Sequence, residues 1–149
     1  MDEGVAVLKG YGFKNVMVEA GGDLIGLGEK TPRSPWKIGL QAPRAEMGTL
    51  MATFNVQNQA VATSGDYMQT FSPDFVNHHI IDPRRGHSSP ELASVSVTVP
   101  PAALADGLAT AVMVMGKAGL QLIEQLAGYE VFAVAKDSTE LKTSGFQVN

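Results

Sequence analysis

Hydrophobic and polar residues alternate with two different periods along the chain, and these periods predict a series of strands and helices. The clearest strand pattern runs from Ala93 to Val99, where valines alternate with serine and threonine, which is typical of a strand with one buried face. The richest helical pattern lies at Ala102–Met115, directly after Pro100-Pro101. Further strands are predicted at Asn15–Glu19, Leu24–Gly28, Trp36–Gln41, Thr49–Gln57, Ala60–Ser64, His79–Ile81 and Glu130–Ala135, and further helices at Asp2–Tyr11 and Ala118–Ala127.

The spacing between these elements predicts how some of them connect. Only Asn58 and Gln59 separate the strands Thr49–Gln57 and Ala60–Ser64, so we expect these two strands to form a hairpin. The tail from Lys136 onward is polar and is compatible with one more edge strand. No repeat, low-complexity tract or linker interrupts the order. Residues 1–149 are therefore expected to form one α+β domain, in which a mixed or antiparallel sheet packs with helices.

Composition narrows the class of protein. The chain has 149 residues, of which 44% are hydrophobic and 17% charged, so it can bury a core and is unlike a disordered polyelectrolyte. A net charge of −4 argues against a general nucleic-acid or anionic-membrane surface. The chain has no cysteine, which excludes disulfide and thiolate chemistry. It shows neither a signal-peptide pattern nor an apolar run of transmembrane length, so no targeting signal is expected in it.

Asp106 and Thr110 form a polar pair with potential chemistry. They lie four residues apart in the apolar segment Ala105–Lys117, which is typical of a buried helix, so one helical turn places the carboxylate above the hydroxyl. Both groups are hard oxygen ligands of the kind that Mg²⁺ accepts, with phosphate and water completing the octahedron. Two structural interpretations remain open: Asp106 as a cap or dipole-favoured charge, and Thr110 bonding back to the carbonyl of Asp106.

A second polar cluster begins at His78 and His79. Neighbouring residues on a strand face opposite sides, so we expect only one of these imidazoles to reach a pocket and the other to be structural. A histidine in a pocket could serve as a general base or bind a phosphate, whereas a satisfied polar group at a strand end is the alternative. Asp82, which precedes Pro83, is predicted to be a turn residue whose side chain folds onto nearby backbone amides.

Two further segments each have two interpretations. Paired glycines in Gly21-Gly22-Asp23 either make a tight turn between strands or let a phosphate approach the backbone. Ser64-Gly65-Asp66-Tyr67 places a hydroxyl and a carboxylate at a strand end, where they serve either a turn or the rim of a pocket.

Four motifs occur together in the order of a known protein family. They are Ala20-Gly21-Gly22-Asp23, Ala62–Tyr67, His79–Gly86 and Ala105–Thr110. In this order they resemble the ApbE family of FAD:protein FMN transferases, over nearly the whole chain. The resemblance implies an ApbE-like, T-fold-like fold and a magnesium-dependent enzyme. Such an enzyme splits the pyrophosphate of FAD and joins the FMN phosphate to a threonine hydroxyl of a target flavoprotein.

The resemblance also implies roles for individual residues. Asp106 and Thr110 match the family's side-chain ligands to the catalytic magnesium. His79 and Ile80 match the strand that lines the flavin nucleotide site, and His79 is the candidate catalytic residue. Gly107 stands where the family usually has alanine, which loosens the helix without touching a ligand. The family context further suggests a location in the bacterial periplasm, or an inner-membrane anchor with the domain facing the periplasm.

Family members are longer than this chain. The resemblance implies that residues 1–149 correspond to the C-terminal portion of the family domain, with the N-terminal flavin-binding portion absent. Lys9-Gly10-Tyr11 is similar to a family motif but lies at the end of a predicted helix rather than at its start. The alternative function is thus a non-catalytic remnant or binding module of the same fold. An uncovered apolar surface is expected at this N-terminal seam, and with it a homodimer.

Overall fold

The computed structural model describes all residues from 1 to 149 and contains three helices and ten strands. The helices are α1 (Asp2–Gly10), α2 (Ala102–Met115) and α3 (Lys117–Ile123). The strands are β1 (Val16–Ala20), β2 (Asp23–Leu27), β3 (Trp36–Gln41), β4 (Leu50–Val56), β5 (Gln59–Gly65), β6 (Ile81–Asp82), β7 (His87–Ser88), β8 (Leu92–Val99), β9 (Glu130–Ala135) and β10 (Glu140–Lys142).

Six strands form one sheet in the order β1-β2-β5-β8-β9-β10, and every neighbouring pair in it is antiparallel. Helix α2 packs against β5 and β8 at the centre of the sheet, and α1 lies beside β1 and β2. The expected α+β class is confirmed, with an antiparallel rather than a mixed sheet. The predicted edge strand in the polar tail is also present as β10.

Two hydrophobic clusters stabilise the two faces of the sheet. The larger one holds 18 buried residues and lies between the sheet and the helices, with Val95, Val97 and Val99 at its centre. The smaller one holds eight buried residues between the opposite face and the ribbon of β3 and β4. Phe146 in the tail joins it, with its ring centroid 5.1 Å from that of Phe54 and 5.6 Å from that of Phe132.

Burial of β8 differs from the sequence prediction. All eight of its residues are buried, including the serines and the threonine that were expected to face solvent. The ribbon covers part of this second face, and the hydroxyls are satisfied within the protein, as where Ser96 and Thr63 approach to 2.7 Å between their oxygens. The alternation of apolar and polar residues thus predicted the position of the strand correctly. It was wrong in predicting that the face with serine and threonine is exposed to solvent.

The predicted hairpin between β4 and β5 is wrong. Strand β4 pairs with β3, whereas β5 lies between β2 and β8 in the main sheet. Asn58 between the two strands adopts a positive φ of 56° and its side-chain oxygen accepts a hydrogen bond from the amide of Gly28. This turn directs the chain from the ribbon into the sheet. A two-residue spacing cannot distinguish such a crossing from a hairpin.

Two other element boundaries also differ from the sequence prediction. Strand β6 covers Ile81 and Asp82, so His79 and Ile80 precede it and are not part of a strand. Helix α3 ends at Ile123 rather than Ala127, because residues 124–128 form turns. The Glu124 carboxylate accepts hydrogen bonds from the amide and hydroxyl of Ser144, which attaches the tail where the helix stops. None of the helices has the length and apolarity that crossing a membrane requires.

Candidate functional site

One open cavity of about 440 Å³ brings all four predicted site residues together. It lies between the end of β5, the exposed side of α2 and the segment that precedes β6. Asp106, Thr110, His79 and Ile80 all line it. The remaining lining residues come from the turn after β1, from β5, from the loop that follows β5 and from β6: Gly21, Thr63, Ser64, Gly65, Met68, Gln69 and Ile81.

Helix α2 presents Asp106 and Thr110 to this cavity. Its buried side carries Ala105 and Ala109, while Asp106 and Thr110 lie on the exposed side, so the helix is half-buried rather than enclosed as predicted. Asp106 lies more than one turn after Pro101, the N-cap residue. The acidic cap of α2 is supplied instead by another residue.

That residue is Asp2 at the start of α1. Its two carboxylate oxygens accept hydrogen bonds from the amides of Ala102 and Ala103, at 2.9 and 3.0 Å. These backbone hydrogen bonds lower the pKa of Asp2. Because the first amides of α2 already have a carboxylate partner, the capping interpretation of Asp106 is wrong.

The hydroxyl of Thr110 is directed across the cavity. Its oxygen lies 3.0 Å from the hydroxyl oxygen of Ser64, and it makes no bond to the carbonyl of Asp106. Asp106 belongs to none of the ion pairs in the structure. Its carboxylate and the Thr110 hydroxyl thus remain available to a ligand in the cavity.

A second carboxylate, that of Asp23, lies close enough to Asp106 to be affected by its charge. Burial raises the pKa of Asp23, the hydrogen bond from the amide of Thr63 opposes that rise, and the negative charge of Asp106 adds to it. The residues that line the cavity include neither lysine nor arginine. The local charge is therefore negative. The Ala-Gly-Gly-Asp motif was the sequence signal for Asp23, although the effect of the Asp106 charge on the pKa of Asp23 depends on the fold.

The two neighbouring histidines have different surroundings, as predicted. His78 is fully buried: its Nε2 lies 3.1 Å from the carbonyl of Ser89, and its Nδ1 accepts the amide of Ile80 at 3.4 Å. A ring nitrogen that faces a carbonyl must donate, so His78 is neutral with the proton on Nε2. Burial lowers its pKa. His78 is the structural histidine.

His79 is exposed to the cavity. Its backbone amide donates to the carbonyl of Gln69 at 3.1 Å, and its Nδ1 lies 3.3 Å from the same oxygen. Because that oxygen only accepts, the neutral ring carries its proton on Nδ1. Nε2 of His79 is thereby left as a hydrogen-bond acceptor.

Asp82 is a turn residue, as expected. It accepts the amide of Arg84 at 2.9 Å, and the same carboxylate binds the guanidinium of Arg84. This side-chain hydrogen bond is the main cause that lowers the pKa of Asp82 to about 2. Neither Arg84 nor Arg85 lines the cavity.

Asp66 was open to two interpretations, and the structure places it inside the protein. The guanidinium of Arg44 binds both of its carboxylate oxygens at 2.7 Å, and Nζ of Lys136 lies 2.6 Å from one of them. Asp66 itself has no exposed surface. It follows Gly65, where any side chain would collide with the ring of Tyr67.

A second cavity of about 300 Å³ adjoins the first beneath the ribbon. The two share Gly21, Thr63 and Met68. Paired Gly21 and Gly22 both have positive φ values, 68° and 98°, and form the turn from β1 to β2 at this border.

No group of three or more histidine, cysteine, aspartate or glutamate side chains could hold a metal on its own. A metal at Asp106 and Thr110 would therefore need further ligands from a substrate or water.

Comparisons with known sequences identify a family that this chain matches over most of its length. A sequence model described as the ApbE family matches residues 1–133. The chain is 38% identical over 112 residues to a FAD:protein FMN transferase of Vibrio cholerae, a match that covers 74% of this chain and 34% of that protein. It is 30% identical over 134 residues to the Klebsiella pneumoniae protein of the same name, covering 89% and 38%. The chain thus spans well under half the length of these relatives.

Solved structures give the same grouping. The crystal structure of an ApbE protein from Thermotoga maritima aligns with a TM-score of 0.76 at 34% identity, over 87% of this chain and 43% of that one. The flavin transferase ApbE from Vibrio cholerae aligns with a TM-score of 0.81 at 31% identity, over 97% and 47%. At these identities the likeness extends from fold to sequence.

Proposed function

Because the chain belongs to the ApbE family, we propose that it forms the magnesium-binding part of an FAD:protein FMN transferase. The proposed reaction moves FMN from FAD to a threonine hydroxyl of an acceptor flavoprotein. FAD and that acceptor are the proposed partners, and nucleic acid is not among them. The proposed location is the bacterial periplasm, with or without an inner-membrane anchor.

The charge of the cavity is the observation that carries this proposal. A diphosphate placed there would face Asp106, with Asp23 nearby, and no lysine or arginine among the lining residues. Carboxylates and phosphates repel one another unless a cation lies between them. The free carboxylate of Asp106 and the hydroxyl of Thr110 supply the hard oxygen ligands that Mg²⁺ prefers, and phosphate oxygens and water can complete its octahedron. The donor set therefore fits a magnesium ion.

The chain's own residues have defined roles in the proposed transfer. Asp106 and Thr110 would hold the ion, which supplies charge neutralisation of the diphosphate when it is bound. Nε2 of His79 accepts the proton of the threonine hydroxyl as that oxygen bonds to the FMN phosphorus. The bond from this phosphorus to the AMP oxygen breaks, and AMP leaves with the electron pair. Ile80 is buried beside His79 and fixes the cavity wall that faces the nucleotide.

The alternative is a non-catalytic remnant or binding module with the same fold. The coding sequence immediately upstream distinguishes the two. A flavin-binding portion encoded there supports the transferase, and its true absence supports the remnant.

The test replaces Asp106 in the complete protein. Asp106→Ala should leave the fold intact, because the side chain is exposed, and should lower FMN transfer at limiting Mg²⁺ by at least about a hundredfold, since the metal contributes several kcal/mol. Mg²⁺ binding, followed by calorimetry, should weaken in parallel. Asp137→Ala is the matched control, because Asp137 is also exposed but lies outside the cavity. Transfer at the parental rate in the Asp106 variant would refute the magnesium assignment.

A further inference from the structure

The loop between β5 and β6 carries His79 at its base. Charged side chains around the buried Asp66 hold the tip of the same loop. Residues 69–79 of this loop bond mainly to one another. Phe71 donates to the carbonyl of Asn77, and His79 to that of Gln69. Thr70 forms an isolated bridge with His78. These bonds join the two arms of the loop and connect its tip to its base.

Phe75 is the contact at the tip. Nζ of Lys136 donates to the carbonyl oxygen of Phe75, and the guanidinium carbon of Arg44 lies 4.2 Å from the centre of the Phe75 ring. Phe75 has a positive φ of 59°, which is uncommon for a residue with a side chain. The surroundings must therefore maintain this conformation.

Both cations meet at the same buried carboxylate. Asp66 is bound by Arg44 through two parallel hydrogen bonds and by Lys136 through a third. Arg44 comes from the segment between β3 and β4, and Lys136 directly follows β9. We name Arg44, Asp66 and Lys136 the ionic clamp. It joins the ribbon, the central sheet and the loop tip at one point.

We infer that the ionic clamp positions His79 for the reaction, and that Lys136 is a positioning residue of this enzyme. Lys136 does not line the cavity and makes no hydrogen bond to a residue that does, so it acts through Phe75 and the loop. It lies beyond residues 1–133, which the family model matches. This inference rests on the proposed function, because it assigns His79 a role in the transfer.

Lys136 is the member of the clamp that can be tested with the least risk to the fold. Removing Asp66 would leave two partly buried cations without their carboxylate partner, whereas removing Lys136 leaves the bidentate pair with Arg44 in place. Lys136→Met keeps the length of the side chain and removes its donor. Lys142→Met is the matched control, since Lys142 is exposed on the edge strand β10. Lys136→Arg restores a donor and a positive charge.

The first measurement does not depend on the protein having transferase activity. Amide hydrogen exchange in residues 69–80 should become faster in Lys136→Met, while exchange in β8 stays unchanged. Lys142→Met should resemble the parent in both regions, and Lys136→Arg should recover most of the protection. Unchanged exchange in the loop of Lys136→Met would overturn the clamp.

The second measurement follows FMN transfer in the complete protein. We expect the kcat of Lys136→Met to fall by at least about tenfold. This loss should be smaller than the roughly hundredfold loss that a 1 Å misplacement of a reacting group can cause. Mg²⁺ affinity should be unchanged, because Asp106 and Thr110 lie on a different element. A faster-exchanging loop with parental kcat would mean that the clamp is only structural, which overturns the inference. A parental protein that transfers no FMN would instead refute the proposed function, and the exchange measurement would still decide the clamp.

Discussion

At the scale of the residue, the environment of one carboxylate differs from that of the others in this protein. Most aspartates with a shifted pKa are stabilised as anions, such as Asp74, whose pKa is lowered by the hydroxyl of Ser72. Asp23 is the exception, because burial raises its pKa above the ordinary value of 3.8. Its ionised form therefore costs folding free energy. The charge of Asp106 adds to this cost, which connects it to the electrostatics of the cavity.

Asp23→Asn tests this cost. The amide can still accept the hydrogen bond from Thr63 and carries no charge, so the variant should be more stable than the parent at neutral pH. A raised pKa in the folded state means that stability is present below the unfolded pKa and is lost as pH rises through the folded one. The advantage of the variant should therefore disappear below about pH 4. Urea unfolding at neutral pH and below about pH 4 measures the difference in unfolding free energy between the variant and the parent.

The control for this prediction is Asp74→Asn, for which the opposite sign is expected. The pKa of Asp74 is lowered, so its anion contributes stability at neutral pH that is lost in acid. The Asp74 variant should thus be less stable than the parent at neutral pH. If both variants change stability in the same direction, the explanation by burial of the Asp23 charge is wrong.

At the scale of the element, α2 depends on a residue that is distant in sequence. Its N-cap, Pro101, makes no side-chain hydrogen bond, and Asp2 of α1 supplies the missing acceptors about one hundred positions away. The same helix carries Asp106 and Thr110. Helix α1 therefore contributes to the site indirectly, by fixing the start of the helix that forms one wall.

Asp2→Ala should destabilise the protein by about 1 kcal/mol, the typical value for the loss of a capping acceptor. The loss should be fully present at neutral pH and vanish in acid, because the lowered pKa of Asp2 means that its anion makes the contribution. Chemical unfolding at several pH values measures this. Glu3→Ala, one position away and exposed, should have no comparable effect.

At the scale of the whole molecule, the N-terminal region has an uncovered apolar surface. Helix α1 has no buried residue, although Val5 packs partly against the larger hydrophobic cluster. Val7, Tyr11 and Phe13 are 55%, 82% and 56% exposed. Exposed apolar side chains that are grouped in this way promote association. The expected homodimer through the N-terminal seam remains a prediction.

Sedimentation velocity over a hundredfold range of concentration tests this prediction. We expect the 149-residue chain to associate as concentration rises, and Tyr11→Ser combined with Phe13→Ser to weaken that association. Met47→Ser is the control, because Met47 is 84% exposed but lies far along the chain, between β3 and β4. A profile that stays monomeric throughout the range contradicts the prediction.

The sequence alone located most of the elements and selected the residues of the candidate site. Helix α2, strand β8 and the early strands follow from periodicity, because the spacing of apolar residues reports which side of an element is buried. The four ordered motifs identified the family and selected Asp106, Thr110, His79 and Ile80, which the fold brings to one cavity. These properties are local, since each depends on a short run of residues.

Only the tertiary structure decided which partners these elements and side chains have. Strand β5 pairs with β2 and β8 instead of its neighbour β4, since several strands compete for each edge and distant contacts decide the outcome. The role of Asp66 depends on Arg44 and Lys136, which lie 22 and 70 positions from it. The raised pKa of Asp23 depends likewise on burial by residues far along the chain. Periodicity indicates which side of an element packs on the apolar core, but the packed fold alone decides whether the other side is also covered and what each buried group contacts.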